Sequence, residues 1–559
     1  MPSPAEHVRA GNAHHNERRL DEAVAAYDRA IAADPAHVDA HSHRGRALLA
    51  LGRKPEALAS ALRGTQIDPA SVTAWIVLGT LFSSLQQFEL ALRALRSAQR
   101  LAPDHPGLSG LLIQAQMLCC EWNGLDALVA SVAAELETGK NAVHPFYWQA
   151  IATSPQSLLQ AAQNRQRRAG QGLPAPPVFP TSKAHRRIRI GYLSGELNLA
   201  PNGLVMAGVF DHHDRAAFDI IAFDNSRDDG TLLRQRIMRA FTRVIDVRAL
   251  SDANLADVIR AEEIDIMVDL NGFFGNTRSE ALRYRAAPVQ VSFLGCPATS
   301  GAAWFDYAIA DAIVVPDGER RWHSEAIVHL PDTYYPADRQ REISDRQFTR
   351  ADCGLPQQGF VFCCFNTCHK ILPATFARWM RILCAVEGSV LWLLDVHPIA
   401  SANLKNQAEL HGVDPARLVF APWMPPDEHL ARHRCADLML DSLPYNGHTT
   451  TTDALWAGLP VLTLVGSTWP GRVAASILHA LNLPELVTTD GETYEQSAVL
   501  LATRPEVLAE IYQRLADRRL TTPLFDTARF THNLEVAYRA MHDRCFQGLP
   551  PGPIVIPDE

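Results

Sequence analysis

The chain has 559 residues, 47% of them hydrophobic and 20% charged, with a net charge of −9. That length exceeds what one core serves and sets an expectation of about three domains. There is no lysine–arginine block, no apolar run of membrane-spanning length, and no apolar stretch in the opening "MPSPAEHVRAGNAHHNERR"; these features exclude a phosphate-gripping nucleic-acid binder, a membrane partner and a leader peptide, and point to the cytoplasm.

The first hundred residues repeat. Asp34-Pro35, Asp68-Pro69 and Ala102-Pro103 recur at 34-residue intervals, as do Gly11, Gly45 and Gly79, and Ala23, Ala57 and Ala91. A small residue lets two helices approach closely and proline ends the second of them. This period and pattern resemble the tetratricopeptide repeat, whose stacked helix pairs offer a surface to protein or peptide partners. Residues 1–103 are therefore expected to form three repeats. The helical pattern continues over 104–169 with decaying spacing, which reads as degenerate repeats and a helical connector. Residues 170–187, "GQGLPAPPVFPTSKAHRR", read as a proline-rich linker.

Beyond the linker, apolar strands alternate with helices in two series. The first is "IRIGYLSGEL", "FDIIAFD", "IDIMVDLNG" and "PVQVSFLG"; the second is "FVFCCFN", "SVLWLLD", "RLVFAPW", "ADLMLD" and "LPVLTLV". Continuous apolar strands imply parallel sheets covered on both faces, and two series imply two Rossmann-like domains, over 188–350 and 351–559. The loop "GYLSGEL" has the wrong spacing for G-x-G-x-x-G, so a dehydrogenase is disfavoured. Ten cysteines show no disulfide framework. Cys363, Cys364, Cys368 and His369 fall where a strand runs into a loop without a second ligand pair, so no metal is expected there.

Residues 441–464, "DSLPYNGHTTTTDALWAGLPVLTL", place four threonines where a strand hands over to a helix. A helix start presents unpaired N–H groups and partial positive charge, and hydroxyls add donors, which together suit an anion. Asp453 has the reach to accept from a ribose diol. The same stretch has a second reading, because Thr450-x-x-Asp453 has capping-box spacing and can serve only to start the helix. In "FNTCHKILPATF", Lys370 follows the first strand of the same half. A lysine and a helix start converging from two strand ends would hold a diphosphate.

The segments "CCFNTCHKILPATFARW", "SVLWLLD", "HLARHRCADLMLDSLPYNGHTTTTDALWAGLPVLTLVGSTWPGRVAASIL" and "APVQVSFLGCPATSGAAWFDYAIAD" resemble O-GlcNAc transferases and their SPINDLY-type relatives, glycosyltransferase family 41. The resemblance implies a GT-B fold behind the repeat solenoid. It also implies metal-independent, inverting transfer of a sugar from UDP-GlcNAc or another nucleotide sugar to Ser or Thr of proteins, with no cofactor. By position it gives Lys370 the diphosphate, with His448 beside it as the second catalytic residue. Thr449, Thr450 and Thr451 fall at the pyrophosphate, Asp453 at the ribose, and His429 and Arg432 at the nucleobase. Thr367 stands near the phosphates where some members have glutamine, and Gly295, Pro297 and Thr299 lie in the loop beside the sugar.

The departures from the family pattern gather in the first half. Ala200-Pro201 stands where a His-Pro pair is usual, Phe273 where His or Tyr is, Cys296 where tyrosine is and Ala298 where glycine is. They bear on the acceptor step and leave the donor half intact. Glu196, close to Ala200 in sequence, reads as a solvated loop carboxylate. Three functions follow from these residues. The leading one is protein O-GlcNAc transfer; the others are SPINDLY-type transfer of fucose or another sugar, and a repeat scaffold with a weak or inactive transferase half.

Overall fold

A computed structural model describes residues 2–167, 177, 179 and 187–558, so the proline-rich segment 170–187 lies almost wholly outside the described residues. The described chain divides into two compact units, residues 1–144 with 250–254 and residues 145–249 with 255–559.

The first unit is built from antiparallel helix pairs: α1 (Pro4–Asn16) with α2 (Leu20–Ala33), α3 (Val38–Ala50) with α4 (Lys54–Ile67), and α5 (Val72–Ser84) with α6 (Phe88–Leu101). The periodic small residues sit where the helices touch. A methyl group added at Gly11 would fall 2.5 Å from the Tyr27 ring, and one at Gly79 2.7 Å from Leu95. Ala23, Ala57 and Ala91 are fully buried on the facing helices. A further pair, α7 (Leu108–Cys119) and α8 (Leu125–Glu137), continues the stack. Residues 104–169, read as degenerate repeats and a helical connector, divide between the two units. The helices up to residue 144 group with the repeats, whereas α9 (Pro145–Trp148) and α10 (Pro155–Gln166) belong to the second unit.

The second unit carries two parallel sheets. The first holds β1 (Ile188–Ser194), β2 (Phe218–Asp224), β3 (Arg243–Asp246), β4 (Ile266–Asp269), β5 (Val289–Ser292), β6 (Tyr307–Asp311) and β7 (Ala326–Leu330). The second holds β8 (Val361–Cys364), β9 (Val390–Leu394), β10 (Leu418–Ala421), β11 (Leu438–Leu440), β12 (Val461–Leu464) and β13 (Val487–Thr488). Six of these thirteen strands, β4, β5, β6, β8, β11 and β12, are buried along their whole length, which is why they read as unbroken apolar runs. Helix α11 (Pro201–His212) follows β1. In the second half α12 (Pro426–Arg432) follows β10, α13 (Thr449–Trp456) follows β11 and α14 (Val473–Ala480) follows β12. Among the described residues no helix is long and apolar enough to cross a membrane.

The expected boundary at 351–559 also changes at its far end. Helix α15 (Thr527–Phe546) packs on α11, and β14 (Ile554–Val555) pairs with β7, so the last thirty or so residues complete the first sheet. Buried polar contacts fix this return. Glu535 accepts from His213 Nδ1 at 2.9 Å and from the Asp214 amide at 2.7 Å, and the hydroxyls of Tyr538 and Tyr192 meet at 3.0 Å. Burial holds His213 below its usual pKa, so the neutral ring donates to the carboxylate. Alternation of helices and strands gave no hint of this return, because a tail helix looks the same whichever sheet it covers. Glu535→Ala leaves a buried imidazole donor and a buried amide unsatisfied, and is expected to cost about 2 kcal/mol, with Glu535→Gln costing less. Urea unfolding of the full chain measures this, and a loss under about 0.5 kcal/mol would show that the tail is not anchored there.

Candidate active site

Both sheets run in the same order. Read from one edge they are β3-β2-β1-β4-β5-β6-β7-β14 and β10-β9-β8-β11-β12-β13, so each reverses direction once, between β1 and β4 and between β8 and β11. Loops leaving strand ends on either side of such a reversal diverge and leave a crevice for a ligand. Lys370 follows β8 and the threonine run follows β11, so the two stand on opposite sides of the second reversal. Glu196 and Ala200 follow β1, and Phe273 follows β4, at the first.

The threonine run is the start of α13. Its N-cap, His448, makes no side-chain capping bond, and the Thr450–Asp453 capping box does not form. The cap-only reading therefore fails. The first amide bonded back into the helix is Thr452, to the His448 carbonyl at 3.1 Å, so the amides of residues 449–451 precede the ladder. The hydroxyls are mostly committed within the protein. Thr451 donates to the Gly447 carbonyl at 2.8 Å, Thr452 to the Thr449 carbonyl at 2.9 Å, and Thr449 meets the Tyr335 hydroxyl at 2.8 Å. What Thr451 offers an anion is thus its amide, not its side chain. His448 is buried, its Nε2 3.2 Å from the Pro470 carbonyl, and burial holds its pKa well below the usual range, so the ring is neutral.

Lys370 is half-buried. Its Nζ donates to the Asn446 carbonyl at 2.8 Å and lies 4.0 Å from the centre of the Tyr445 ring. Among the described residues no carboxylate comes within ion-pairing distance of it. Burial pushes its pKa down to about 8, against a smaller opposing pull from Asp441. Asp441 sits behind the loop between β11 and α13. It accepts from the amides of Ser442 at 2.8 Å and Gly447 at 2.6 Å, and from Thr463 Oγ1 at 2.7 Å.

Three residues assigned from the family pattern have partners within the protein. Arg432 is 1% exposed; its Nε donates to His429 Nδ1 at 2.9 Å and its Nη1 to the Pro422 carbonyl at 2.6 Å, with the Phe365 and Trp392 rings beside it. It holds His429 in place, and its Nη2 is without a partner among the described residues. With Nδ1 accepting, His429 carries its proton on Nε2, and burial pushes its pKa down to about 2. Asp453 is in the second helical turn and is ion-paired with Arg341, from the segment between the halves, so a ribose diol would have to share that carboxylate. Thr367 is exposed and bonds His369 Nδ1 at 3.0 Å.

In the first half Ala200 is the N-cap of α11. The reading of Glu196 as solvated is overturned. It is 8% exposed, its Oε2 is without a partner among the described residues, and burial pushes its pKa up to about 7 despite a bond from the Asn202 amide. The loop 295–301 is a rigid shelf. A methyl group at Gly295 would lie 2.1 Å from the Leu270 carbonyl, and Thr299 Oγ1 donates to Glu325 Oε2 at 2.7 Å. Gly295, Pro297 and Thr299 are all buried, so they shape the cleft and their side chains do not reach into it. Phe273 is half-buried, and the ring of its neighbour Phe274 lies 4.9 Å from that of Phe146. Sequence reasoning missed Arg341, Tyr335, Tyr445 and His369. Tyr445 and His369 lay inside quoted motifs, but "LPYNG" looked like a plain turn and His369 like a discarded metal ligand.

The glycosyl transferase family 41 model matches residues 175–346 and 343–534, and tetratricopeptide repeat models match 8–72 and 72–105. A probable UDP-N-acetylglucosamine–peptide N-acetylglucosaminyltransferase, SEC of Arabidopsis thaliana, is 33% identical over 462 residues, covering 79% of this chain and 47% of that one. A second probable UDP-N-acetylglucosamine–peptide N-acetylglucosaminyltransferase, SPINDLY of Solanum lycopersicum, is 29% identical over 409 residues, covering 70% and 43%. The chain thus spans about half the length of the curated relatives it matches. A solved structure of a lysine-to-methionine mutant of the Thermobaculum terrenum O-GlcNAc transferase superposes with a TM-score of 0.72 at 28% identity, covering 98% of this chain and 99% of that one.

A lysine that titrates near pH 8 when free, and higher with an anion bound, makes affinity depend on pH in one direction. Binding of a nucleoside diphosphate such as UDP is expected to be flat below pH 8 and to weaken by up to about tenfold per unit above it. Lys370→Met should remove that alkaline limb and weaken binding at pH 7. Calorimetry between pH 7 and 9.5 checks both, and an affinity independent of pH in the wild type would contradict the assignment.

Proposed function

Because the chain belongs to glycosyltransferase family 41, we propose that it transfers N-acetylglucosamine from UDP-N-acetylglucosamine to Ser or Thr hydroxyls of proteins, with configuration inverted at the sugar. The observation that carries this reading is the pairing across the second reversal point, where a lysine without a carboxylate partner faces the open amides of a helix start. Cations and aligned N–H groups stabilise charge where it develops, and in sugar transfer that place is the departing phosphate oxygen. The SEC and SPINDLY relatives are both named for transfer from UDP-N-acetylglucosamine, which favours that donor over a fucosyl one.

The steps divide between the halves. The diphosphate lies against Lys370 and the amides of residues 449–451. His429, its ring set by Arg432, offers Nε2–H to the base, and Asp453 shares its carboxylate between Arg341 and the ribose. The acceptor oxygen attacks C1 of the sugar, the bond from C1 to the phosphate oxygen breaks, and its electron pair leaves on the nucleoside diphosphate. The acceptor proton needs a base. Ala200 supplies none, but Glu196 stands on the same loop with a carboxyl tuned near neutrality, where a general base works best. A weak or inactive transferase half is thereby disfavoured. The helical repeats present protein acceptors, and the lack of any disulfide among the described cysteines suits a cytoplasmic setting.

Purified protein incubated with radiolabelled UDP-N-acetylglucosamine and GDP-fucose, with a protein extract as acceptor, is expected to transfer label from the first only. Transfer from GDP-fucose alone would overturn the donor assignment. In the wild type kcat/KM should rise with pH through a midpoint near 7 and fall again above about pH 8, where Lys370 loses its proton. Glu196→Gln should lower it about 10²–10⁴-fold and remove that midpoint while leaving UDP affinity unchanged. An unaltered pH profile in the variant would exclude Glu196 as the proton acceptor.

A further inference from the structure

The segment after the repeats brings aromatic side chains into the cleft between the sheets. The Phe146 ring lies 4.9 Å from Phe274 on the loop after β4, and 5.7 Å and 6.3 Å from His369 and Tyr445 on the loops after β8 and β11. Rings from the connector and from both halves therefore meet at one place, beside the Tyr445 ring on which Lys370 rests. Phe146 and Phe274 are only half-buried, so part of each ring is open to the cleft.

Two buried polar atoms next to these rings have no partner among the described residues. His369 is 8% exposed; its Nδ1 is taken by Thr367 and its Nε2 is unbonded. Gln149 is 1% exposed; its amide nitrogen is spent on Cys296 of the 295–301 shelf, and its Oε1 is unbonded. Buried polar atoms left unsatisfied are costly, and a cluster of them in a cleft marks where a ligand supplies the missing bonds. Open ring faces with a few polar atoms at their edge suit a pyranose, which has an apolar C–H face and a rim of hydroxyls.

We propose that Phe146 and Gln149, from the segment linking the repeats to the sheets, complete the donor-sugar subsite: Phe146 stacks on the apolar face of the pyranose, while Gln149 Oε1 and His369 Nε2 bond its polar rim. The assignment to the donor follows from connectivity and rests on the transferase reading above. The sugar hangs directly from the phosphate that Lys370 and α13 hold, and Lys370 shares the Tyr445 ring with this cluster. The connector is then a determinant of sugar specificity and not a spacer.

Calorimetry of the full chain with UDP and with UDP-N-acetylglucosamine separates the sugar from the nucleotide. Phe146→Ala and Gln149→Leu are expected to keep UDP affinity within about twofold and to weaken the nucleotide sugar tenfold or more. Phe146→Tyr, which keeps the ring, should retain most of the wild-type affinity, and Phe146→Leu, which fills the space without a ring, should not. Should Phe146→Ala unfold, the comparison of Phe146→Leu with Phe146→Tyr decides alone. Parallel loss of both ligands, or loss of neither, in a chain that binds UDP would overturn the sugar subsite and leave the transferase reading standing. A wild type that binds neither ligand would overturn both.

Discussion

The ammonium of Lys370 enters the cleft without a carboxylate beside it. Among the described residues its close partners are a carbonyl and the face of a tyrosine ring, which is weak compensation for lost water. A carboxylate in contact would satisfy the lysine and spoil the site, since an anion would then have to displace it. The nearest acidic group, Asp441, is instead consumed by two amides and a threonine hydroxyl. Its charge shapes the loop that carries Tyr445 and Asn446 and reaches Lys370 only through space. The unneutralised cation and the open helix start thus depend on one buried aspartate keeping its distance.

The same device recurs at other strand ends. Asp269, after β4, accepts from the amides of Asn271 and Gly272 and from Ser279, and so holds the loop that bears Phe273 and Phe274. Asp311, after β6, accepts from the amides of Ile313, Val314 and Tyr334, and also from Ser476 on α14 at 2.7 Å. That last bond crosses from one half to the other. So do the bidentate pair of Arg472 with Glu319 and the contact of Tyr335 with Thr449. Loops held at their bases and halves tied across the cleft place groups from different sheets with little freedom, which is what positioning a reaction between two substrates requires.

Much of this could be read in the sequence, because periodicity reports burial. A 34-residue spacing of glycine, alanine and proline reports helix pairs, and unbroken apolar runs report strands covered on both faces. Lys370 and the threonine run were legible because loop chemistry at the ends of such strands is conspicuous. What could not be read are pairings that depend on distant segments meeting. Asp453 looked free because nothing near it in sequence announces Arg341. The burial of Arg432 was hidden because its carbonyl and aromatic partners come from other loops. Glu196 looked solvated because only the fold brings the loop of residues 271–277 over it; its Oε1 would lie 2.3 Å from a methyl group at Gly275. The returning tail was hidden for the same reason.

The charges in the cleft also constrain one another. On the proposed reading, an anionic donor would raise the pKa of any proton-binding group near it, so Lys370 would become a firmer cation as the diphosphate settled and the helix start shared the added charge. The same field acts on Glu196 in the unwanted direction, keeping its proton on when a base is needed. A histidine at position 200 would face that problem too, since an imidazole beside an anion gains a proton and ceases to accept one. What separates the two choices is the state left behind after proton transfer. A protonated imidazole adds a positive charge to a cleft that already holds Lys370, whereas a protonated carboxyl is neutral. Either base gains one unit of positive charge on taking the proton, but only the imidazole would end as a second cation beside Lys370, so a carboxyl in that role makes Ala200 compatible with the proposed transfer.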